Sequence, residues 1–114
     1  MKRRRPGLDR TLAALADPQR RRVIDILRER PRAAGDLARQ AGISAPAMSR
    51  HLRNLRVAGL VSEDHDSLDA RVRVYRLTPE PMNRLRAWLE ETETLWSKQL
   101  LSFKAHVERT KQQR

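Results

Sequence analysis

The side chains with the clearest chemistry lie between residues 44 and 54, on one face of a predicted helix. This face is small near its start and then polar and cationic, which suits a helix that enters a DNA major groove. Small residues allow close approach, and an arginine guanidinium can bind a guanine edge or a phosphate through paired N–H groups. The residues of this outward face are Ala45, Ser49, Arg50, Arg53 and Asn54.

Two short helices that meet at a tight corner must position this face. On the opposite side of the second helix, Met48, Leu52 and Leu55 recur at spacings of four and three, so this helix can bury one apolar stripe. Ser44 is a favourable N-cap for the helix. Gly42 ends the preceding helix, because glycine adopts the left-handed conformation of a helix end without steric cost.

A helix-turn-helix pattern extends into a larger part of the chain. Ala38, Gly42 and Met48 occupy the small, glycine and apolar positions of such a motif. The segment from Leu12 to Leu77 contains LADPQRRRVIDIL and then GDLARQAGISAPAMSRHLRNLRVAGLV, and it resembles the ArsR/SmtB family of winged-helix repressors. The resemblance implies a mainly α fold with a small β-hairpin, that is, a winged helix-turn-helix with a long C-terminal dimerisation helix. It also implies double-stranded DNA as the partner, with a base-facing segment formed by Ser44, Ala45, Pro46, Ser49 and Arg50.

The sequence predicts a basic, flexible tail at residues 1–7 and a single domain at residues 8–114. A chain of 114 residues is long enough for one modest core. The tail is interpreted either as disordered or as an arm that contacts phosphates. Within the domain we expect the helix-turn-helix at 34–57, the wing at 60–77 and the dimerisation helix at 80–109.

Two strands joined by a charged turn are predicted after the second helix of the motif, which begins after Ser44 and which we call the recognition helix. Residues 71–77 alternate apolar and charged side chains, as a half-exposed strand does, and the polar residues 63–69 form the turn. Arg71 and Arg73 are expected on the same face of the returning strand, where they could straddle a DNA phosphate. The alternative is that both arginines only protect an exposed strand edge from pairing with other chains.

The last predicted helix is longer than so small a domain can cover by itself. It has about 30 residues and a length of ~45 Å, and it holds both tryptophans and the only phenylalanine. We predict that a second copy of the chain covers its surplus apolar face together with the first helix; packing within one chain is the alternative. The predicted dimer-interface residues are Leu8, Leu12, Leu15, Leu85, Trp88, Leu89, Trp96 and Phe103.

Composition limits the function classes. The formal net charge of +11 and the isoelectric point near 11.5 favour polyanionic partners, nucleic acid before acidic membranes. A solvated basic surface is the alternative explanation of this charge. The chain has no cysteine, which excludes disulfides and thiolate metal sites. It contains no apolar run near ~20 residues and no hydrophobic signal region, which predicts a cytoplasmic, nucleoid-associated protein without a membrane partner.

Neither a metal site nor a catalytic site is predicted. The last helix offers His106 alone, far from the glutamates at 90–93, and residues 64–66 place possible ligands on a turn without supporting groups. There is no cysteine nucleophile and no glycine-rich phosphate loop after a strand. We therefore expect no cofactor, no metal and no enzymatic activity.

These observations predict a dimeric, sequence-specific DNA-binding regulator of transcription that acts on a pseudo-palindromic operator and does not sense metals. By resemblance, we expect it to be a repressor. Two alternatives remain: a winged-helix module that binds an acidic protein, and a regulator released by an unidentified small ligand. Steep weakening of DNA binding by salt, with preference for one site over random duplex, distinguishes a DNA-binding protein from a protein-interaction module.

Overall fold

The structure, a computed structural model, describes residues 5–112. Five helices and one antiparallel pair of strands follow one another in these residues, and the predicted mainly α fold with a β-hairpin and a long C-terminal helix is confirmed. The chain divides into two compact units, one up to Asn83 and one from Arg84 onward. The elements are α1 (Pro6–Leu15), α2 (Pro18–Leu27), α3 (Ala34–Ala41), α4 (Ala45–Val57), β1 (Val61–His65), β2 (Arg73–Leu77) and α5 (Pro79–Gln112).

The core of the first unit is formed by apolar residues from α1 to α4 and from the start of the hairpin. The predicted inward stripe of α4, Met48, Leu52 and Leu55, lies at its centre and is almost completely buried. Complete burial of a large aliphatic side chain contributes roughly 1.5–3 kcal/mol, so this stripe fixes the rotation of α4 about its axis. The other core residues are Ala14, Val23, Ile24, Leu27, Leu37, Ala38, Leu60 and Val61.

Local capping sets the helix ends, largely as the sequence predicts. Asp17 accepts hydrogen bonds from two backbone N–H groups in the first turn of α2, and Ser44 Oγ accepts one from the N–H of Ala47 at 3.2 Å. Gly42 adopts the left-handed conformation, with φ of 69°, between α3 and α4. Ala33 caps α3 without a side-chain hydrogen bond, as its methyl group requires. The corner that orients α4 therefore follows from local chemistry.

Several element boundaries differ from the prediction. The first helix begins at Pro6, so Pro6 and Gly7 belong to α1 rather than to a flexible tail; the expectation for residues 1–4 lies outside the described residues. Proline suits a first helical turn because its missing N–H has no partner there in any case. The last helix runs from Pro79 to Gln112, beyond the predicted 80–109 at both ends.

The wing has a shorter returning strand than the alternating pattern suggested. Strand pairing runs from Val61 opposite Leu77 to His65 opposite Arg73, so residues 63–65 are strand rather than turn. The N–H of Asp66 donates to the carbonyl of Val72 at 2.8 Å and closes the turn. The prediction that Arg71 lies on the strand is therefore wrong.

Aspartate side chains explain this early end of the ladder. Asp66 and Asp69 accept hydrogen bonds from the backbone N–H groups of Leu68 and Arg71, at 2.9 and 3.1 Å. Such local bonds offer the backbone an alternative to strand pairing. Alternation of apolar and charged residues carries no information about this competition.

The second unit is the part of α5 from Arg84 onward. Its apolar residues are largely exposed in the single chain: Trp96 is 65% and Phe103 66% accessible, and Leu89 is also exposed. Leu85 is buried and Trp88 half-buried. Among the described residues, no helix is both long enough and apolar enough to cross a bilayer.

A buried arginine connects the α2–α3 linker to the wing. The N–H of Arg32 donates to the carbonyl of Tyr75 at 3.1 Å, and the N–H of Tyr75 donates back at 2.8 Å. The Arg32 side chain is only 7% exposed and donates to Glu29 at 2.7 Å and to Asp36 at 3.0 Å. The hydrogen bond from Arg32 holds the pKa of Asp36 below its ordinary value of 3.8. The linker thereby pairs with the wing strand β2, and the Arg32 side chain binds Asp36 in the first turn of α3.

We predict that Arg32→Met lowers the melting temperature at neutral pH by several degrees, since it leaves the carboxylates without their shared partner. A carboxylate with a lowered pKa stabilises the fold above its ordinary pKa and loses this contribution as the pH falls through the lowered value. The difference between the wild type and the variant should therefore shrink as the pH is lowered from 7 toward 3. Thermal unfolding over this range measures it.

Arg28→Met provides the matched control, because Arg28 is well exposed and its ion pair with Asp25, at 3.7 Å, lies at the surface. It should change the melting temperature little at any pH. An Arg32→Met protein as stable as this control at pH 7 would show that the buried network does not stabilise the fold.

Candidate nucleic-acid interface

The outward face of α4 is an exposed cationic surface on a helix that the core holds in place. All the predicted residues on this face lie at the surface, because the apolar stripe opposite them is buried. Arg50 and Arg53 form neither a hydrogen bond nor an ion pair with any other part of residues 5–112. Their guanidinium groups are therefore available to an external acceptor. The exposed residues are Ser44, Ala45, Pro46, Ser49, Arg50, Arg53 and Asn54.

The start of α4 is shaped for close approach. Ala45 and Pro46 occupy its first turn and carry no polar side chain that needs solvation. Pro46 has no N–H and the N–H of Ala47 donates to Ser44, but the N-terminal end of the helix dipole still carries a partial positive charge, which favours an approaching phosphate. Ser44 uses its hydroxyl for the cap and keeps the first turn regular. This end of α4 can therefore come near a polyanionic surface without steric or electrostatic cost.

The wing arginines differ from those of α4, because each is paired with an acid of the wing. Arg71 Nε lies 3.2 Å from Asp69 Oδ1, and the side chain of Arg71 together with its backbone N–H lowers the pKa of Asp69. Arg73 Nη1 lies 3.0 Å from Glu63 Oε1. The structure thus places Arg71 in the turn and Arg73 on β2, in two separate ion pairs, and does not bring them together as one pair.

Arg56 is a cation of this surface that sequence reasoning missed. It lies in the last turn of α4, and its Nη1 donates to Glu63 Oε2 at 2.5 Å. A signal was present in the sequence: Ser49, Arg53 and Arg56 recur at spacings of four and three, which places them in one row along the helix. The contact with the wing could not be seen, because it depends on how the hairpin folds back against α4.

His51 connects the recognition helix to the start of α2. Its Nε2 lies 2.8 Å from Gln19 Oε1, the ring is half-buried, and Nδ1 has no partner within the described part of the chain. This geometry is that of a histidine packed between two helices rather than of one directed toward DNA phosphates. The hydrogen bond helps to hold α4 against α2 from the side opposite its arginines.

The acids and histidines of residues 5–112 do not converge on a metal site. No group of three or more such side chains is arranged to hold an ion in this part of the chain. His65 lies on β1 and Asp66 in the turn, while Asp64 is bound to Arg76 at 3.4 Å. The candidate ligands at 64–66 are thus engaged in the wing rather than convergent.

Comparison with known proteins agrees with this geometry. Residues 17–63, which run from the cap of α2 into β1, match the family model for bacterial regulatory proteins of the arsR family. The HTH-type transcriptional regulator Rv2034 of Mycobacterium tuberculosis is 38% identical over 95 residues, which cover 83% of this chain and 83% of that protein. The transcriptional repressor SdpR of Bacillus subtilis is 36% identical over 56 residues, covering 49% of this chain and 62% of the repressor.

A solved structure shows the same architecture. The homodimeric winged helix-turn-helix DNA-binding domain of Mb0332 from Mycobacterium bovis, residues 1–100, superposes with a TM-score of 0.62 at 26% identity. The superposition covers 78% of this chain and 80% of that domain. The wing beside the recognition helix, the family match over the helix-turn-helix and the likeness to Rv2034 lead to one assignment. The chain belongs to the ArsR family of bacterial regulatory proteins and is a DNA-binding winged helix-turn-helix regulator of transcription.

Proposed function

We propose that this protein is a homodimeric, sequence-specific repressor that binds a pseudo-palindromic operator and is not a metal sensor. The observation that carries the proposal is the outward face of α4: two arginines without partners in the described chain, beside a small first turn, on a helix fixed by a buried stripe. Such a helix can enter the major groove and place guanidinium groups against guanine.

The residues of this face have different roles in the proposal. Arg50, one turn after Ala45 and Pro46, binds a base edge, and Ser44 and Ser49 contact bases or the adjacent sugar-phosphate. Arg53 lies further along the helix and contacts the backbone. In the wing, Arg71 and Arg73 contact phosphates after exchanging their carboxylate partners for DNA. Phosphate contacts of this kind set affinity and orientation, whereas base contacts set sequence preference.

Homodimerisation is supported by the apolar surface that the single chain leaves in water. In the second unit Leu89, Trp96 and Phe103 share one side of α5 and are exposed. In the first unit Leu12 is exposed, and Leu8 and Leu15 are half-buried on the same side of α1. The similar domain of Mb0332 is homodimeric. A two-fold dimer would present two recognition helices to successive major grooves about 34 Å apart.

Repression is the outcome we propose for operator binding, since a dimer over a promoter excludes polymerase from the same DNA. The related SdpR is a transcriptional repressor, which supports this direction. We propose that the protein works without a metal or another cofactor, on nucleoid DNA in the cytoplasm. The lack of cysteine and the single histidine of α5 support the metal-independent part of this proposal.

Selection of bound fragments from the native genome tests the proposal. The purified protein should enrich short fragments that share an inverted repeat with half-sites about one helical turn apart. Binding to these fragments should reduce transcription from an adjoining promoter in a purified system. Enrichment without a shared sequence would contradict specific recognition, and increased transcription would contradict repression.

We predict that Arg50→Ala removes operator preference while the dimer stays intact. A bidentate contact between arginine and guanine carries about 1–3 kcal/mol of discrimination against the wrong base. Titrations of operator and scrambled duplex should show the two affinities converging. Arg28→Ala is the control, because it removes an equal charge at the C-cap of α2, and it should leave the ratio unchanged. An unchanged ratio in the Arg50→Ala protein would refute its role as a base contact.

We predict that Trp96→Glu gives a monomer or a partly unfolded protein whose DNA binding is weak, salt-sensitive and blind to sequence. The change removes a large apolar contact and buries an unpaired charge on each side of the dimer interface, which costs several kcal/mol. Sedimentation followed by operator titration measures both effects. Leu101→Glu is the matched control, since Leu101 is equally exposed but lies five residues further, on a different side of α5.

The two variants distinguish the loss of a dimer-interface residue from the loss of any exposed apolar residue of α5. The Leu101→Glu protein should stay dimeric and keep its operator preference. A dimeric Trp96→Glu protein would show that the side of α5 with Trp96 does not form the dimer interface. A wild-type monomer at tens of micromolar that still binds its operator tightly would refute the dimer itself.

We predict that zinc, nickel and cadmium neither stabilise the protein nor release it from DNA. His106 of α5 is the only histidine in the last helix, and the chain has no cysteine, so transition metals lack their preferred ligands. Thermal unfolding and operator titration with and without each metal provide the measurement. A metal bound at one equivalent with micromolar affinity, together with altered DNA binding, would overturn this prediction.

A further inference from the structure

One carboxylate, that of Glu63, lies between two arginines from different elements of the first unit. Its Oε2 accepts a hydrogen bond from Arg56 of α4 at 2.5 Å, and its Oε1 accepts one from Arg73 of β2 at 3.0 Å. The Glu63 side chain is 20% exposed, whereas those of Arg56 and Arg73 are 50% and 69% exposed. Both guanidinium groups therefore remain open to solvent while they share one anion.

The position of Arg56 makes this arrangement part of the DNA-facing surface. Ser49, Arg53 and Arg56 follow one another at helical spacing along α4, so Arg56 continues the row that begins near the base-facing segment. Arg73 approaches the same carboxylate from the wing. A DNA backbone that follows this row from the first turn of α4 toward the wing would reach the two guanidinium groups together.

The charge balance of the wing gives the shared carboxylate its importance. Residues 61–77 contain four acidic residues and three arginines, so this segment has a net charge of −1 in a chain whose net charge is +11, with histidine counted as neutral. Every wing arginine has a wing acid as partner, including Arg76 with Asp64. In the free protein, the wing therefore offers DNA no cation that is not already paired.

We propose that Arg56 and Arg73 form a binding site for one DNA backbone phosphate and that Glu63 occupies this site in the free protein. The inference rests on the proposed DNA binding and adds to it a phosphate site shared by the recognition helix and the wing. A phosphodiester presents two acceptor oxygens on one atom, as a carboxylate does, and accepts from two guanidinium groups in the same way. On binding, the phosphate takes both sets of donors and the Glu63 carboxylate returns to water.

The exchange is feasible because ion pairs at an exposed surface are weak, and each guanidinium keeps an anionic partner throughout. Glu63 competes with the phosphate of any sequence, since backbone contacts carry no base information. It therefore lowers the affinity for DNA as a whole and leaves the preference between sequences unchanged. A strongly basic regulator thereby spends less time bound to DNA of arbitrary sequence.

The test compares wild type and Glu63→Gln on a random-sequence duplex over a series of salt concentrations. The glutamine keeps the size of the side chain but releases both arginines, so the affinity for DNA should rise about 3- to 10-fold at low salt. The slope of log K against log salt concentration should steepen by up to ~0.9, the value for one phosphate. Asp25→Asn is the charge-matched control: it removes one acid from α2, whose ion-pair partner within residues 5–112 is Arg28. It should raise affinity much less.

The double variant Glu63→Gln with Arg56→Gln identifies the site, because the increase should disappear when one arginine of the pair is missing. Arg73→Gln alone should weaken binding to random duplex and flatten the salt slope, and this exposed position gives a test even if Glu63→Gln does not fold.

The contrary outcomes are distinct. Equal increases for Glu63→Gln and Asp25→Asn would reduce the effect to net charge and overturn the site. A folded Glu63→Gln protein with lower affinity would overturn it as well, since Glu63 would then position the arginines rather than compete for them. So would an Arg73→Gln protein with unchanged binding. If the wild type binds no duplex even at low salt, the proposed function itself fails.

Discussion

Burial of one side of α4 is the constraint on which the rest of the structure depends. Met48, Leu52 and Leu55 are held among residues of α1, α2 and α3, and the helix cannot rotate without exposing them to water. Because a helix turns as a rigid unit, this burial also determines that Arg50 and Arg53 face outward. The same apolar contacts that stabilise the domain thus orient the arginines of α4 toward solvent.

The surface charges then fall into two kinds. The arginines of the outward face of α4 have no partners in the described chain, whereas those of the wing and of the last turn of α4 are bound to carboxylates. A free guanidinium can bind a base edge at once, while a paired one must first exchange its partner. The division suits a protein in which the helix reads sequence and the wing adjusts overall affinity.

In addition to the burial of Val61 in the core, two polar connections join the wing to the helical part of the first unit. Arg32 joins it to the α2–α3 linker through paired backbone hydrogen bonds with Tyr75, and Glu63 joins it to α4 through Arg56. The first connection is buried and structural. The second is exposed and can exchange with an external anion. The wing is thereby held firmly at Tyr75, whereas its contact at Glu63 lies at the surface that we propose to bind DNA.

The sequence by itself determined the features that depend on neighbouring residues. Helical spacing identified the buried stripe and the outward face of α4, and the chemistry of Gly42 and Ser44 identified the corner between α3 and α4, because periodicity and capping act within a few residues. Only the tertiary structure decided the rest. The burial of Arg32, the sharing of Glu63 by Arg56 and Arg73, and the early end of the strand at Arg73 depend on partners that the fold brings together or on backbone bonds that compete with strand pairing. A charged side chain looks the same in a sequence whether it is free or paired, and its nearest opposite charge is set by the path of the chain in space.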